Sequence, residues 1–154
     1  MSLLAAAAGI LNASSPLPWL VVGGQPSGPH LSALHAAGVR TVIDIRDTME
    51  LRPFDEHGTL GTMGIEYVNA PVVSGALTDQ AMDSVLAALR AARGTPTLLH
   101  CASANRTGGP LIAYLMIDEG MDEASAVDVA TRSGLRSVEI MEWGTEYARR
   151  QAKG

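Results

Sequence analysis

The sequence predicts an α/β fold with a central, mainly parallel sheet of about four or five strands and helices on both faces. Three observations lead there. Short runs of Val, Ile and Leu alternate along the chain with segments whose apolar residues recur at helical spacing. The runs close on glycine, proline or charge, leaving room for the crossover helices that parallel strands require. The last third carries helical periodicity only, so the sheet is complete before it. With 154 residues, 47% of them apolar, the chain has material for a layered core, and residues 1–154 are expected to form a single domain.

Taken in order, Met1 to Leu11 is apolar and alanine-rich and reads as a packed N-terminal helix. It lacks a leading Lys or Arg and is too short to span a bilayer; a secretory signal is the competing reading. Leu17 to Val22 reads as a strand closed by Gly23-Gly24-Gln25-Pro26-Ser27, and Leu31, Leu34 and His35 then keep helical spacing up to Gly38. Val39 to Ile45 is a β-branched strand ending at Arg46. A polar stretch through Asp47, Glu50, Arg52, Asp55 and Glu56 reads as loop plus short helix up to Gly64. Ile65 to Val72 is a further strand, placed at an edge or cut short by Pro71. Thr78 is a suitable cap for a helix whose Met82, Val85, Leu86 and Leu89 share one face and which ends near Gly94. Thr95 to Leu99 leads as a short strand into His100. Helices come next around Leu111 to Met116, ending at Gly120, then over Ala124 to Ser133 and Ser137 to Arg150.

Charge excludes several functions. The net charge is −5, and the eleven Lys and Arg are scattered, so no footprint for nucleic acid or for an anionic membrane surface exists. A single cysteine excludes an internal disulfide and suits a reducing compartment, so cytoplasm is the expected location. His30, His35 and His57 are too dispersed to propose a metal site, and no cofactor motif stands out. Met116, Met121 and Met141 read as core filler.

Chemistry concentrates in one segment, His100-Cys101-Ala102-Ser103-Ala104-Asn105-Arg106-Thr107-Gly108-Gly109, between the last strand and an apolar helix. A lone cysteine after a strand is ordinarily a buried, inert thiol. Here, small residues and an arginine lead from it into a helix start, where backbone N–H groups converge on one point and favour a negative charge. Cys101 is therefore the candidate nucleophile, with its thiolate favoured by those amides and by Arg106. Ala102, Ser103, Ala104 and Asn105, with the planar fork of Arg106, are the candidate binding residues for a phosphate or similar oxyanion. His100 is expected to orient the loop, and Thr107 to donate its hydroxyl to the sulfur. Gln25, Arg46 and this loop all come directly after strands, so they can converge on one crevice. Arg46 with Glu50 reads as a structural ion pair, and Gln25 as a turn residue.

Gly24 to Ser27, Gly38 to Arg46, Tyr67 to Val72 and His100 to Gly109 together resemble the beta-lactamase-hydrolase-like phosphatases, a bacterial branch of the protein tyrosine and dual-specificity phosphatase superfamily. The likeness runs from about Gly9 to Tyr114 and is weaker beyond. It implies a three-layer phosphatase-type fold and a cysteinyl-phosphate intermediate, with Cys101 as nucleophile and Arg106 as the phosphate-binding arginine. It also implies no cofactor, and a phosphorylated substrate or small oxyanion as partner. The chain departs from the pattern in three ways. Four residues separate Cys101 from Arg106 where the superfamily usually has five, a spacing shared by the branch and by rhodanese-type sulfurtransferases. Ala104 stands where the branch usually has glycine; a left-handed backbone there costs about 1 kcal/mol. Finally, no carboxylate occupies Pro71 to Leu77, where relatives place a general acid, which leaves Asp47 or Asp55 as substitutes.

Phosphate monoester hydrolysis is thus the expected function. The alternatives are a rhodanese-like sulfurtransferase acting on thiosulfate or a persulfide, which needs no general acid, and a non-catalytic anion-binding relative.

Overall fold

In the computed structural model, which describes residues 2–153, five strands form one sheet in the order β1-β2-β5-β3-β4. They are β1 (Ser14–Leu17), β2 (Leu20–Gly23), β3 (Thr41–Asp44), β4 (Glu66–Asn69) and β5 (Thr97–His100). All neighbours pair in parallel except β1 with β2. The helices are α1 (Leu3–Ala6), α2 (Gly28–Ala36), α3 (Glu56–Thr62), α4 (Asp79–Ala92), α5 (Gly108–Ile117), α6 (Glu123–Arg132) and α7 (Val138–Lys153). The expected α/β architecture, a mainly parallel sheet with helices on both faces, is therefore present, with its sheet complete before the all-helical last third.

Side-chain alternation along the strands builds the layers. Val22, Leu99 and Ile43 are neighbours across β2, β5 and β3, and all three face a core shared with Leu86, Leu111, Ala126 and Trp143 of α4 to α7. One position earlier, Val21, Leu98 and Val42 face the opposite side and pack with Ala6, Leu31, Leu34 and Leu60 of α1 to α3. The central strands are buried on both faces, which is why they read as continuous apolar runs rather than alternating ones. The apolar face expected of α4 is buried, and Thr78 caps its start by accepting from the Ala81 amide at 3.1 Å.

Two expectations need correction. Leu17 to Val22 is not one strand: the chain reverses at Pro18 and Trp19, and Ser14–Leu17 forms an additional antiparallel edge strand. Proline at position 16 is tolerated because an edge strand has one unpaired side. The N-terminal helix is shorter than expected, ending at Ala6 before turns that place Leu11 near the sheet, where its carbonyl accepts from the Gly24 amide at 2.9 Å.

Helix α5 carries the candidate loop at its N-terminus, and it is seated on α7 by glycines. A Cβ built at Gly144 would lie 2.5 Å from the Gly109 carbonyl oxygen, and one at Gly109 would lie 2.6 Å from the Trp143 ring. Gly144→Ala is expected to destabilise the protein by about 1 kcal/mol. Overpacking costs about 1–3 kcal/mol, against the roughly 1 kcal/mol that alanine contributes over glycine in a helix interior. Urea denaturation checks this; an unchanged or higher midpoint would contradict so close a contact.

Candidate active site

Cys101 lies immediately after β5, the middle strand, so its neighbours hold it from both sides. Its amide donates to the Gly23 carbonyl at 3.3 Å, and the Ile45 amide donates to the His100 carbonyl at 3.0 Å. Cys101 is 1% exposed and belongs to the apolar core that also holds Ile45 and Leu111. Its Sγ is not left to hydrocarbon alone: the Ala104 amide donates to it at 3.1 Å. That bond requires the loop to curl back, and Ala104 adopts a φ of 70°, the left-handed conformation anticipated for it. A Cβ makes this strained by about 1–2 kcal/mol. The strain is held in place by Thr107, whose hydroxyl donates to the Ala104 carbonyl at 3.0 Å. Thr107 thus braces the loop and does not donate to the sulfur, contrary to the sequence reading. Among the described residues, no protein acceptor takes the amides of Ser103, Asn105 and Arg106, which leaves them to an oxyanion.

The Arg106 guanidinium is fixed by a partner that the sequence reading had paired only with Arg46. Nη1 and Nη2 donate to the two carboxylate oxygens of Glu50 at 2.6 and 2.8 Å, and Nη1 also donates to the Val72 carbonyl at 3.2 Å. Three of the five N–H groups are thereby used. The two left, on Nε and Nη2, form the side edge of the guanidinium, a fork suited to two phosphate oxygens. Glu50 raises the Arg106 pKa against the opposing effect of burial, and the charge of a Cys101 thiolate adds to the rise.

Arg106, through its hydrogen bonds, is also the main cause of the fall in the Glu50 pKa to about 2, against burial and with help from the Asp47 amide and Arg46. A carboxylate whose folded pKa lies below its ordinary 4.5 contributes stability that is complete above about 4.5 and lost as pH falls toward 2. Denaturant titrations from pH 6 to pH 2.5, conditions chosen to span that window, are expected to show a steeper loss of stability in the wild type than in Glu50→Gln. Parallel curves would contradict the pairing.

Gln25, Arg46 and the loop do converge, as their positions after strands suggested. Arg46 donates to Glu50 at 3.3 Å, to the Gln25 side-chain oxygen at 2.7 Å and to the Leu51 carbonyl at 2.9 Å. The Arg46–Glu50 ion pair is present. Gln25 is more than a turn residue, because its amide nitrogen reaches Glu56 at 2.6 Å. Glu56 is buried and meets His100 Nε2 at 2.6 Å, while His100 Nδ1 lies 3.1 Å from the Cys101 carbonyl. A carbonyl only accepts, so Nδ1 carries a proton, and one further proton lies between Nε2 and the Glu56 carboxyl. His100 therefore orients the cysteine beside it, and Glu56 orients His100.

Asp44, Glu56 and His100 bring potential metal-ligating atoms within 4.8 Å of one another. Protein groups already occupy them. Asp44 accepts from Arg52 at 2.8 Å, Tyr67 at 2.6 Å and the Arg46 amide at 2.9 Å. Burial alone would raise the Asp44 pKa, but the His100 charge and these donors bring it below its ordinary value. The cluster reads as an ion-pair network under the loop, since a cation would have to displace Arg52.

The loop opens into a cavity of about 360 Å³ lined by Asp47, Glu50, Val73, Ser74, Ser103, Asn105 and Arg106. This separates the two candidate acids. Asp55 caps α3 by accepting from the Gly58 amide at 3.0 Å, whereas Asp47 lines the cavity. Ala102, the remaining loop residue, holds the outer turn through its carbonyl, which accepts from the Gln25 amide at 3.0 Å. Asn105 faces two ways: it lines the cavity, and its side-chain oxygen accepts from the Arg136 and Ser137 amides at 2.7 and 3.1 Å. Sequence reasoning missed Glu56, Arg52, Tyr67 and Arg136. Asp44 alone carried a signal, as a carboxylate within an apolar strand.

No family model matches the chain. It is 29% identical over 135 residues to the dual specificity protein phosphatase TpbA of Pseudomonas aeruginosa, covering 86% of this chain and 59% of TpbA. The chain thus spans about three fifths of that curated relative. Among solved structures, TpbA superposes with a TM-score of 0.71 at 25% identity, over 91% of this chain and 84% of TpbA. A candidate phosphatase of the DUF442 group from Shewanella putrefaciens has the same fold, with a TM-score of 0.78 at 21% identity over 96% of this chain and 97% of its own. A cysteine-to-serine variant of P. aeruginosa TpbA, solved in complex with phosphotyrosine, superposes at 0.71 with 22% identity, over 94% of this chain and 92% of that one.

Proposed function

We propose that this chain belongs to the protein tyrosine and dual-specificity phosphatase superfamily and hydrolyses phosphate monoesters through a cysteinyl-phosphate intermediate, and that residues 1–154 form one cysteine-phosphatase-like domain. The observation that carries the reading is the Cys101-to-Arg106 loop: a sulfur with an amide donated to it, unpartnered amides around it, and a guanidinium held so that one edge stays free.

In the proposed reaction, the substrate phosphoryl group lies against the Ser103, Asn105 and Arg106 amides and the Nε and Nη2 edge of Arg106. Cys101 Sγ attacks phosphorus as a thiolate, an S–P bond forms, and the bond to the ester oxygen breaks. Loop amides and Arg106 stabilise the charge on the equatorial oxygens. Asp47 protonates the leaving oxygen. The reason is elimination within the cavity: it and Glu50 are the lining carboxyl groups, and both Glu50 oxygens are held by the Arg106 guanidinium. Water then attacks phosphorus and gives a proton to the Asp47 carboxylate, the S–P bond breaks, and phosphate and the thiolate are released.

TpbA, the relative solved with phosphotyrosine, supports a phosphorylated substrate. Among the described residues no helix is long and apolar enough to cross a membrane, and cytoplasm is the proposed location on the basis of the lone cysteine.

The test is release of phosphate from an aryl phosphate, run beside thiosulfate plus cyanide. Phosphate release by the wild type is expected. Thiocyanate in its place would assign sulfur transfer, and tight phosphate binding with neither product would assign a non-catalytic binder.

A further inference from the structure

We propose that Arg136 forms a second anion subsite beside the phosphate loop, so that the preferred substrate is a compact phosphate monoester carrying a second phosphate group. This rests on the phosphatase reading above and specifies its substrate.

Arg136 differs from most of the chain's arginines in its ion pairing. Eight of the chain's ten arginines (Arg46, Arg52, Arg90, Arg93, Arg106, Arg132, Arg149 and Arg150) pair with carboxylates. Among the described residues, Arg40 and Arg136 do not. Arg40 precedes β3 and donates to the Val39 carbonyl at the end of the sheet opposite the loop. Arg136 is exposed, and its Nη2 donates to the Ser103 hydroxyl at 3.1 Å. Ser103 lines the same cavity as Arg106. In a chain of net charge −5, an arginine without a carboxylate, hydrogen-bonded to a residue that lines an anion cavity, is a standing attraction for a further negative group.

The guanidinium is also on a rigid base. Residues 134–137 are built onto the loop itself. A Cβ at Gly134 would lie 2.9 Å from the Ala104 Cβ, and one at Gly108 would lie 2.7 Å from Leu135. The amides of Arg136 and Ser137 both donate to the Asn105 side chain. Little backbone entropy therefore remains to be lost when Arg136 takes a ligand. The rest of the mouth sets the direction. Asp47 and Glu50 line the cavity from the segment after β3 and repel a second anion there, whereas Ser103 and Asn105 lead to Arg136. With a cavity of about 360 Å³, the two phosphates belong to one small molecule.

Competition against aryl phosphate hydrolysis tests this, with inorganic phosphate, pyrophosphate and propanediol bisphosphate as inhibitors of the wild type and of Arg136→Ala. At least one bisphosphate is expected to inhibit the wild type about tenfold more tightly than phosphate, as one added charge-assisted contact provides. In Arg136→Ala that advantage disappears, while the inhibition constant of phosphate and the kcat for the aryl ester stay within about twofold. Arg136→Lys is expected to retain part of the preference. No preference in the wild type, or one that survives Arg136→Ala, overturns the proposal. A doubly phosphorylated peptide that outcompetes both small anions through Arg136 would overturn the compact substrate. Should the wild type release no phosphate, calorimetric titration with the same three anions makes the same comparison, so loss of the phosphatase reading is distinguished from loss of the subsite.

Discussion

Cys101→Ser is expected to lower phosphate release from an aryl phosphate by at least about a thousandfold, toward the millionfold that losing a covalent nucleophile costs in other hydrolases. The reason lies in the first step. A serine hydroxyl at the end of β5 has no base poised to take its proton: His100 Nδ1 faces the Cys101 carbonyl and Nε2 faces Glu56, so neither ring nitrogen is free. A thiol depends far less on such help, because sulfur is intrinsically the stronger nucleophile and the Ala104 amide already points at it. The oxygen should be accommodated without disturbing the fold, so phosphate binding by calorimetry is expected to persist in the variant. Activity retained within about tenfold would remove Cys101 from the chemistry.

Arg106→Lys is expected to lower kcat by about a hundred- to thousandfold, the usual consequence of removing one preorganised donor from a charge-stabilising site. Charge is conserved in this change, so the loss isolates geometry. Arginine gives three N–H groups to Glu50 and Val72 and still presents two on one edge. An ammonium has three in all and cannot do both. If it stays with Glu50, the phosphate loses its fork; if it turns to the phosphate, Glu50 keeps only the Asp47 amide and the longer Arg46 contact. Steady-state kinetics should place the loss mainly in kcat, since the guanidinium edge serves the transition-state oxygens. A variant with unchanged kcat and a raised KM would mean that Arg106 only captures substrate.

How far the sequence carried this is clearest at particular residues. The left-handed Ala104 was signalled only through the resemblance, since the branch usually carries glycine at that position and glycine marks backbone that a Cβ disfavours. The crevice joining Gln25, Arg46 and the loop was legible from topology, because strands β2, β3 and β5 run parallel and deliver the residues at their carboxyl ends to one end of the sheet. Side-chain partners across long separations were not. Glu56 meets His100 across 44 residues and Glu50 meets Arg106 across 56, and no periodicity in either segment encodes that. Thr107 failed for a different reason. Its hydroxyl is directed by the Ala104 carbonyl, which faces it only because Ala104 is left-handed. The additional strand β1 was hidden by Ser14, Ser15 and Pro16, residues that a central strand would reject but an edge strand accepts.

The central claim is that phosphorus becomes bonded to one sulfur during turnover. Rapid acid quenching of the wild type while it hydrolyses an aryl phosphate, with mass spectrometry of its peptides, addresses this directly. A single phosphoryl group on the peptide containing Cys101, absent from Cys101→Ser, is the predicted result. Steady turnover with that peptide unmodified, or with the phosphoryl group on another residue, would contradict it.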